Sequence, residues 1–437
     1  MENRRGLNRR EFLAGSGAIL ASTALAAKAG AQGAAPAVAK KVKIQWMEWM
    51  STEIGEPRMQ EVLAAFSKTN AGRSIEIERI SMPFGQFRDK ILANHLAGAM
   101  PDVQQMAPLW AVEIAELGAL EALNPYFEKA GKDWVANLNK SNMIPWKGKN
   151  YLLPVTATAH LLYYNVRRLE EAGFGGPPKT WSDIEKMGPK LTNPAKNQYC
   201  FASSMAVASP YIGPAYEIWQ LIYQCNDTVM KNAKCNLNSP GSVKALKFYL
   251  RLVNDLKIYA PGVLTNELKD AIEAFTSEIS AMFMQSPVFV RVAEGRNPKM
   301  RLGVAPLPEG DTYGTYGAGW TNALCAASKN KEAAWEFMHW LSSPEGNALM
   351  SIAAFMQPGN LKADMGPLVQ RDPRFKVALD VVKRGRVFSE VSGIPEAPNL
   401  FRIETEQVHE AATKRKTVEQ ALEATTVEWN KVLAKYA

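Results

Sequence analysis

Residues 151–181 read YLLPVTATAHLLYYNVRRLEEAGFGGPPKTW, and their pattern changes several times within this short span. An apolar strand containing Pro154 is followed by small polar residues and then by a second apolar run at 161–165. After a helical stretch and a Pro-Pro break, Thr180 and Asp183 form a capping box that begins the next helix. A strand that is interrupted by polar residues and then resumes predicts a hinge, at which the chain leaves one compact lobe and enters another.

Length and composition predict a protein with more than one hydrophobic core. The chain has 437 residues, of which 47% are hydrophobic and 22% are charged, whereas single cores stop growing near about 250–300 residues. The formal net charge is +8, and the first 31 residues contribute +3 of it. The mild surplus that remains forms no dense basic stripe with interleaved aromatic residues, so we expect no nucleic-acid partner.

The first 31 residues have the pattern of an export signal. Arg9 and Arg10 precede a weakly hydrophobic run rich in Ala, Gly and Ser, and residues 29–31 form an Ala-x-Ala cleavage pattern. Paired arginines at this position predict the twin-arginine pathway, and a Sec signal that carries two arginines is the alternative. The run is shorter than the ~20 residues that span a bilayer, so we expect a cleaved signal and a periplasmic protein.

The four cysteines suit an oxidising compartment. Cys225 and Cys235 are separated by nine residues rich in turn formers, and this spacing predicts a disulfide between them. Cys200 and Cys325 lie in apolar surroundings and are expected to be small buried residues. We expect no metal site, because the sequence has no C-x-x-C motif and no nearby histidine at ligand spacing.

Strands alternate with helices along the chain, which predicts α/β layers with parallel sheets. The first strand is expected at 42–46, a second at 75–77, and a third opening at 100–103. The helix between the first two strands has apolar residues at 59, 62, 63 and 66, the spacing of one helix face. This order places loops at the carboxyl ends of parallel strands, where open α/β sheets bind ligands.

Several motifs follow one another in the order found in one protein family. They are Gly98-Ala99-Met100-Pro101-Asp102-Val103, Gly118 to Leu123, Phe275 to Pro287 (FTSEISAMFMQSP), Pro306-Leu307-Pro308, Gly317-Ala318-Gly319-Trp320, and Ala333 to Phe337 with Ser343-Pro344-Glu345. With the hinge stretch at 151–181, they resemble the family 1 extracellular solute-binding proteins of bacterial ABC importers, which include the maltose-binding receptors. The resemblance covers nearly all of the chain after the signal.

The resemblance implies a type II periplasmic-binding-protein clamp, in which two α/β lobes with mostly parallel sheets close on a ligand. Residues 1–31 would be the signal peptide, 41–154 plus 307–341 the N-terminal lobe, and 155–306 plus 342–437 the C-terminal lobe. The implied function is capture of a mono- or oligosaccharide for delivery to the permease subunits of an ABC importer. We expect a monomer without cofactor or metal.

Aromatic and polar residues at loop positions are the expected ligand contacts, because sugars present flat C–H faces ringed by hydroxyl groups. Positions next to strand ends and in the Gly-flanked loop suggest Trp46, Glu48, Trp49, Trp110, Gly319 and Trp320. The resemblance adds Thr158, His160, Tyr216, Ser286 and Phe401. Tyr216 and Phe401 stand where the maltose-binding relatives place stacking aromatics, whereas Trp219, Trp335 and Trp429 lie on helical stripes and are expected in the core.

Two departures from the family bear on the ligand. Thr158 stands where many members have an acidic residue, and Ser286-Pro287-Val288 replaces Gly-Pro-Trp. His160 could restore polarity at the hinge or be purely structural. The loss of a carboxylate and a stacking tryptophan weakens the case for a maltose-like ligand, so a polyol or a glycerol-phosphate-type solute is the alternative.

A periplasmic carbohydrate-active enzyme is the less favoured alternative. The four histidines are scattered, and the chain after the signal has neither H-E-x-x-H nor G-x-S-x-G. Pairs of carboxylates are common in the sequence, and spacing alone does not exclude a glycosidase or lyase. We therefore expect no catalytic residues and a protein that acts by binding.

Overall fold

The computed structural model of the protein describes residues 41–207, 213–388 and 390–436. The predicted signal peptide lies outside these residues.

The strands of the described chain are β1 (Val42–Glu48), β2 (Ile75–Ser81), β3 (Val103–Met106), β4 (Leu153–Pro154), β5 (Thr156–Ala157), β6 (Leu161–Asn165), β7 (Tyr199–Phe201), β8 (Met230–Lys231), β9 (Lys234–Cys235), β10 (Ser280–Gln285), β11 (Leu302–Ala305), β12 (Thr315–Tyr316), β13 (Thr321–Leu324), β14 (Gln357–Pro358) and β15 (Val387–Phe388).

Helices follow most strands, as the alternating pattern predicts. They are α1 (Met50–Ile54), α2 (Glu56–Phe66), α3 (Asn70–Ser74), α4 (Phe84–Leu96), α5 (Pro108–Glu116), α6 (Asn124–Ala130), α7 (Lys132–Ala136), α8 (Val166–Glu171), α9 (Trp181–Leu191), α10 (Gln220–Gln224), α11 (Pro240–Leu250), α12 (Leu268–Thr276), α13 (Phe289–Arg296), α14 (Lys331–Leu341), α15 (Pro344–Ala354), α16 (Gly366–Arg371), α17 (Arg374–Lys383), α18 (Ala397–Ala412) and α19 (Val418–Leu433). π-Helical turns at Ala215–Trp219 and Arg251–Asp255 adjoin α10 and α11. Within the described residues, no helix is both long and apolar enough to cross a membrane.

Two larger sheets, each with its own hydrophobic core, contain nine of the strands, and the other six form the two-stranded pairs β12-β15, β14-β5 and β8-β9. The first has the order β2-β1-β3-β13-β4, and the second has the order β11-β6-β10-β7. β1 pairs in parallel with β2 and β3, as the sequence predicts, whereas β13 runs antiparallel to both of its neighbours. In the second sheet, β6 runs antiparallel to β10 and β11. Each sheet is thus mostly parallel in direction with one reversed strand, in agreement with the predicted two-lobed fold.

The stretch at 151–181 crosses between the sheets where the hinge is predicted. β4 belongs to the first sheet, and β6, seven residues further on, belongs to the second. The chain returns between β11 of the second sheet and β13 of the first. Helix α9 begins with the predicted capping box, in which Thr180 accepts a hydrogen bond from the Asp183 amide and Asp183 accepts one from the Thr180 amide. We call residues 155–160 and 306–320 the crossing segments. They lie side by side between the two sheets.

Candidate functional site

A cavity of about 90 Å³ lies between the two cores, beside the crossing segments. Both cores contribute to its walls, and its lining therefore combines residues far apart in the sequence. The lining consists of Trp49, Glu53, Phe84, Ala107, Pro108, Leu109, Thr158, His160, Tyr216, Leu268, Ile272, Gln285, Ser286, Val288, Phe289, Val292, Tyr316, Ala318, Gly319, Trp320 and Met356. Apolar and aromatic side chains predominate, and a few polar groups converge among them, which is typical of a small-molecule binding site.

Four aromatic rings of the first core form what we call the Trp49 cluster: Trp49, Phe84, Phe87 and Trp110. Trp49 meets Phe87 edge to face at 4.8 Å and Phe84 at 5.2 Å between ring centroids, and Phe84 stacks on Trp110 at 5.0 Å. The Trp49 amide, just beyond β1, donates to Oε1 of Gln105 at 2.8 Å. Trp49 and Phe84 reach the cavity, while Phe87 and Trp110 support them from behind. The result is a rigid apolar wall.

The opposite wall contains what we call the His160 cluster: His160, Tyr216 and Tyr316. The His160 ring lies 4.3 Å from the Tyr216 ring and 5.4 Å from the Tyr316 ring, in edge-to-face contacts. The His160 amide donates to the Tyr316 carbonyl at 2.9 Å, which ties the two crossing segments together. Tyr216 lies in the first π-helical turn, a feature frequent at functional sites.

Gly319 allows the two crossing segments to approach each other closely. A Cβ at this position would collide with the Thr156 carbonyl oxygen and with Nδ2 of Asn142. The next residue, Trp320, donates its amide to Oγ1 of Thr156 at 3.0 Å. The absence of a side chain at Gly319 therefore positions the Trp320 ring at the edge of the cavity.

Three buried polar atoms in the cavity walls have no hydrogen-bond partner within the described residues. They are Oε2 of Glu53, Oγ1 of Thr158 and Nδ1 of His160. Leaving such an atom unpaired costs about 1–3 kcal/mol, so a ligand that pairs with it regains that energy. Burial, with a smaller effect of the Glu48 carboxylate, raises the pKa of Glu53 to about 8. Burial lowers the pKa of His160 to about 3, so the imidazole is neutral at physiological pH.

Seven of the predicted contacts line the cavity: Trp49, Thr158, His160, Tyr216, Ser286, Gly319 and Trp320. The structure places the other four outside the lining, and each has a local reason.

Two of the four are at β1. Trp46 lies inside the first core, where Nε1 donates to Oδ1 of Asn322 at 3.2 Å. Glu48 is fully buried, and its carboxylate accepts hydrogen bonds from Ser51, Ser81 and Arg79.

The remaining two are aromatic residues that pack against other rings. Trp110 stands behind Phe84 in the Trp49 cluster and does not reach the cavity. Phe401 stacks on Trp219 at 4.8 Å in the second core. Both side chains are only 1% exposed.

Sequence reasoning missed Glu53 and Tyr316. Glu53 lies on α1, directly after β1, and therefore near the carboxyl end of a parallel strand, which was the available signal. Tyr316 lies on β12, immediately before the Gly317-Ala318-Gly319 segment. Its place in the His160 cluster depends on contacts across the crossing segments, and local sequence does not reveal these contacts.

The predicted disulfide between Cys225 and Cys235 is not formed, and all four cysteines are free thiols. Cys235 lies on β9 with Sγ directed at Oγ1 of Thr426, at 3.8 Å. Cys225 follows α10, and burial raises the pKa of its thiol to about 11. The Cys235 thiol is thus directed at a threonine and not at Cys225. Within the described residues, no group of three or more His, Cys, Asp or Glu side chains is arranged to hold a metal ion.

Comparisons with known proteins agree with this architecture. A putative binding protein of Brucella abortus (strain 2308) is 27% identical over 296 residues, which cover 67% of this chain and 70% of the relative. A probable amino-acid ABC transporter periplasmic-binding protein of Sinorhizobium fredii is 24% identical and covers 95% of both chains. The solved structure of an ABC transporter solute-binding protein from Thermotoga lettingae, bound with α-D-tagatose, superposes with a TM-score of 0.79. It is 21% identical and covers 90% of this chain and 100% of its own.

The family profile decides the assignment. The profile described as bacterial extracellular solute-binding protein matches residues 51–348, which is more than half of the chain and includes segments of both sheets. This match confirms the resemblance seen in the sequence motifs. The chain belongs to the bacterial extracellular solute-binding protein family.

Proposed function

We propose that this protein captures a carbohydrate in the cavity between its two cores and delivers it to the permease of an ABC importer. The observation that carries this proposal is the pairing of aromatic rings on both walls with buried, unpaired polar atoms. Rings of Trp49, Tyr216 and Trp320 can stack on the C–H faces of a sugar. The free atoms of Glu53 and Thr158, with that of His160, can exchange hydrogen bonds with its hydroxyl groups.

The size and charge of the cavity favour a small ligand. A water needs about 10–15 Å³ of such a cavity, so about 90 Å³ holds several water-sized groups and suits a single sugar ring. No Lys or Arg is among the described lining residues, so the carboxylate of an amino acid or the phosphate of a glycerol phosphate would find no cationic partner. The Thermotoga relative, whose ligand is α-D-tagatose, has the same fold.

Transport requires that the ligand favour one conformation of the protein. Membership in the family implies a ligand, permease partners, and a periplasmic or exported location. The proposed lobes are 41–154 plus 307–341 and 155–306 plus 342–437, with the crossing segments as the hinge. A ligand that contacts both walls has a higher affinity for the closed form, and it shifts the population toward the shape that the permease recognises.

The protein acts by binding, as a monomer and without catalysis. The family consists of transport binding proteins, which supports this part of the proposal. His160 is neutral, and its pKa of about 3 makes it a poor general base near neutral pH. His160 is therefore better suited to exchanging hydrogen bonds with a ligand than to transferring protons.

Export through the twin-arginine pathway is part of the proposal. It rests on Arg9, Arg10 and the Ala-x-Ala pattern at 29–31. Replacing both arginines with lysine should block export and leave the fold unchanged, which cell fractionation would reveal. Normal periplasmic amounts of the Lys-Lys variant would contradict the twin-arginine route.

A thermal-shift screen against a panel of carbohydrates tests the binding function. A ligand present at 100 times its dissociation constant adds about 2.7 kcal/mol to the free energy of unfolding. We expect a monosaccharide to give a clear stabilisation and calorimetry to confirm it with one site per chain. If no carbohydrate stabilises the protein while another class of solute does, the carbohydrate proposal is wrong.

A further inference from the structure

The carboxyl group of Glu53 is the unusual feature of the cavity. Glu53 as a whole is partly exposed, but its Oε2 atom is buried and has no hydrogen-bond partner within the described residues. A carboxylate that is removed from water without a partner is strongly unfavourable, so the group either holds a proton or requires a cation beside it. The described residues supply no cation beside this group, as the surrounding charges show.

The charged side chains around Glu53 have other partners, either an opposite charge or a backbone carbonyl. On β1 and β2, Glu48 and Arg79 form an ion pair at 3.3 Å. On the following helix, Arg58 donates to the Ile54 carbonyl at 2.8 Å.

The helix α13, which packs against α1, carries three further charged groups, of which Arg296 pairs with Glu273 at 3.1 Å. The other two are Arg291 and Glu294, and they pair with each other at 3.0 Å. Tyr216, across the cavity, is a neutral phenol whose pKa is raised by burial. None of these groups neutralises Glu53.

The rest of the lining offers no positive charge either. Among the described lining residues, the ionisable side chains besides Glu53 are the neutral His160 and the tyrosines. Residues 208–212 and 389, which the structure does not describe, have no charged side chain in the sequence. Among the described residues, the cavity lining therefore has an acidic group and no basic group to balance it.

Aromatic rings surround the cavity that contains this carboxyl group. Trp49 and Phe84 line the first wall, Tyr216 and Tyr316 the second, and Trp320 the edge between them. Ring faces attract cations by about 0.5–1 kcal/mol at exposed sites and by about 2 kcal/mol or more when water is excluded. A carboxyl group within a set of rings is the combination that recognises an organic ammonium group.

We propose that the ligand carries an ammonium group that pairs with Glu53, so that among carbohydrates the site takes an amino sugar. The sugar part of this statement rests on the proposed function, whereas the ammonium part rests on the cavity alone. An ammonium group supplies the charge partner that Glu53 lacks, and the sugar ring occupies the remaining aromatic surface. Neutral sugars of the same shape can offer the carboxyl group a hydrogen bond but no charge partner, and anionic sugars are repelled by its deprotonated form.

The pH dependence of binding should distinguish a carboxylate partner from a protonated one. The raised pKa of Glu53, about 8, means that the unliganded site holds a proton at neutral pH. A cation binds the deprotonated form, so its affinity should rise about tenfold from pH 6 to pH 7 and level off above pH 8. A neutral ligand that accepts a hydrogen bond from the protonated carboxyl group should show the opposite trend.

Tetramethylammonium is a suitable probe for this measurement, because it has no proton to lose and its pH dependence reports the protein alone. Calorimetric titration at constant ionic strength, with sodium chloride as the reference salt, should show affinity that increases with pH in the wild-type protein. Glu53→Gln should reduce that affinity at least tenfold and remove the pH dependence. Glu56→Gln, which removes an exposed carboxylate on the next helix, is the matched control and should bind like the wild type.

Sugar specificity is tested with matched sets: glucosamine, galactosamine and mannosamine, each beside its neutral parent and its N-acetyl form. We expect one amino sugar to bind at least tenfold more tightly than both of its neutral counterparts, and Glu53→Gln to abolish the difference. Tighter binding of a neutral sugar overturns the ammonium inference and leaves the carbohydrate proposal standing. Binding of tetramethylammonium without binding of any sugar supports the ammonium inference and overturns the carbohydrate proposal. Failure of every amine to bind, or unchanged binding by Glu53→Gln, also overturns the inference.

Discussion

The Trp49 cluster and the His160 cluster line the same cavity, but they differ in whether their polar atoms have hydrogen-bond partners. Rings of the Trp49 cluster contact one another edge to face or stacked, and they form a continuous part of the first core. The His160 cluster has similar ring contacts, but Nδ1 of His160 and Oγ1 of Thr158 have no partner in the part of the chain that the structure describes. The rings of the Trp49 cluster therefore pack against one another without a ligand, whereas the wall around His160 keeps unpaired polar atoms. The unpaired atom on the first wall, Oε2 of Glu53, lies outside the Trp49 cluster.

This difference shows that burial alone does not identify a ligand contact. Trp49 is 1% exposed, and His160 is also 1% exposed. Their environments differ in hydrogen bonding rather than in accessibility. We therefore expect substitutions in the Trp49 cluster to reduce stability, and substitutions in the His160 cluster to reduce affinity.

The largest expected effect is that of Trp49→Ala on stability. Removing a buried tryptophan leaves a cavity among Phe84, Phe87 and Trp110, and such changes cost about 3–5 kcal/mol. Denaturant unfolding of the unliganded protein measures this loss directly. A loss below about 1 kcal/mol would mean that the cluster is not a structural wall.

Glu53→Gln should have the next largest effect, a stabilisation whose size should depend on pH. Because the pKa of Glu53 rises from 4.5 to about 8 on folding, this group lowers stability progressively between those two pH values. At about 1.4 kcal/mol per pH unit, the substitution should increase the free energy of unfolding by about 3 kcal/mol at pH 7 and by little near pH 4.5.

The stabilisation should be measured as a difference from the wild type at each pH. Glu217 and Glu404 are also buried with pKa values of about 8, so they contribute to the wild-type slope and cancel in the comparison. An equal stabilisation at pH 4.5 and pH 8 would show that the carboxyl group is ionised throughout, contrary to the burial argument.

Tyr216→Ala should separate affinity from stability. Tyr216 is only partly buried, so its truncation leaves no sealed cavity, but it removes a ring from the ligand site. We expect the affinity for the identified ligand to fall about 5- to 150-fold, equivalent to about 1–3 kcal/mol. Calorimetry and denaturant melts on the same variant test both parts. Unchanged affinity with early melting would place Tyr216 with the structural aromatics.

The smallest effect is expected for Thr158→Val, which replaces a hydroxyl group by a methyl group of similar size. Since Oγ1 of Thr158 is buried without a partner among the described residues, the unliganded protein should gain about 1 kcal/mol of stability. A ligand that bonds to this hydroxyl should bind about tenfold less tightly. Opposite signs in the melt and in the titration would sharpen the contrast with Trp49→Ala, and a loss in both would weaken it.

The sequence revealed the fold because local patterns and chain topology agree. The strands expected at 42–46 and 75–77 occur at Val42–Glu48 and Ile75–Ser81, and the capping box at Thr180 is present. The hinge was recognisable because a broken apolar strand leaves a visible pattern. The chain crosses between the sheets at this point, as expected.

The site was harder to predict because cavity walls are made by tertiary contacts. Phe401 and Tyr216 appeared equivalent in the sequence, but the ring of Phe401 stacks on Trp219 in the core. The expected disulfide failed for a similar reason: spacing along the chain does not show which way each thiol points. Glu53 was not singled out from the sequence, and its unpaired, buried Oε2 becomes visible only in the tertiary structure.

The close packing at Gly319 also limits how this receptor can diversify. Any side chain there would meet backbone and amide atoms that cannot move without disturbing the hinge, so mutations at this position should be eliminated by selection. Leu268, Ile272 and Val292 line the same cavity but are only partly buried. Ligand preference can drift at these three positions while the hinge stays constant, and they are the natural places to randomise when a biosensor is built from this scaffold.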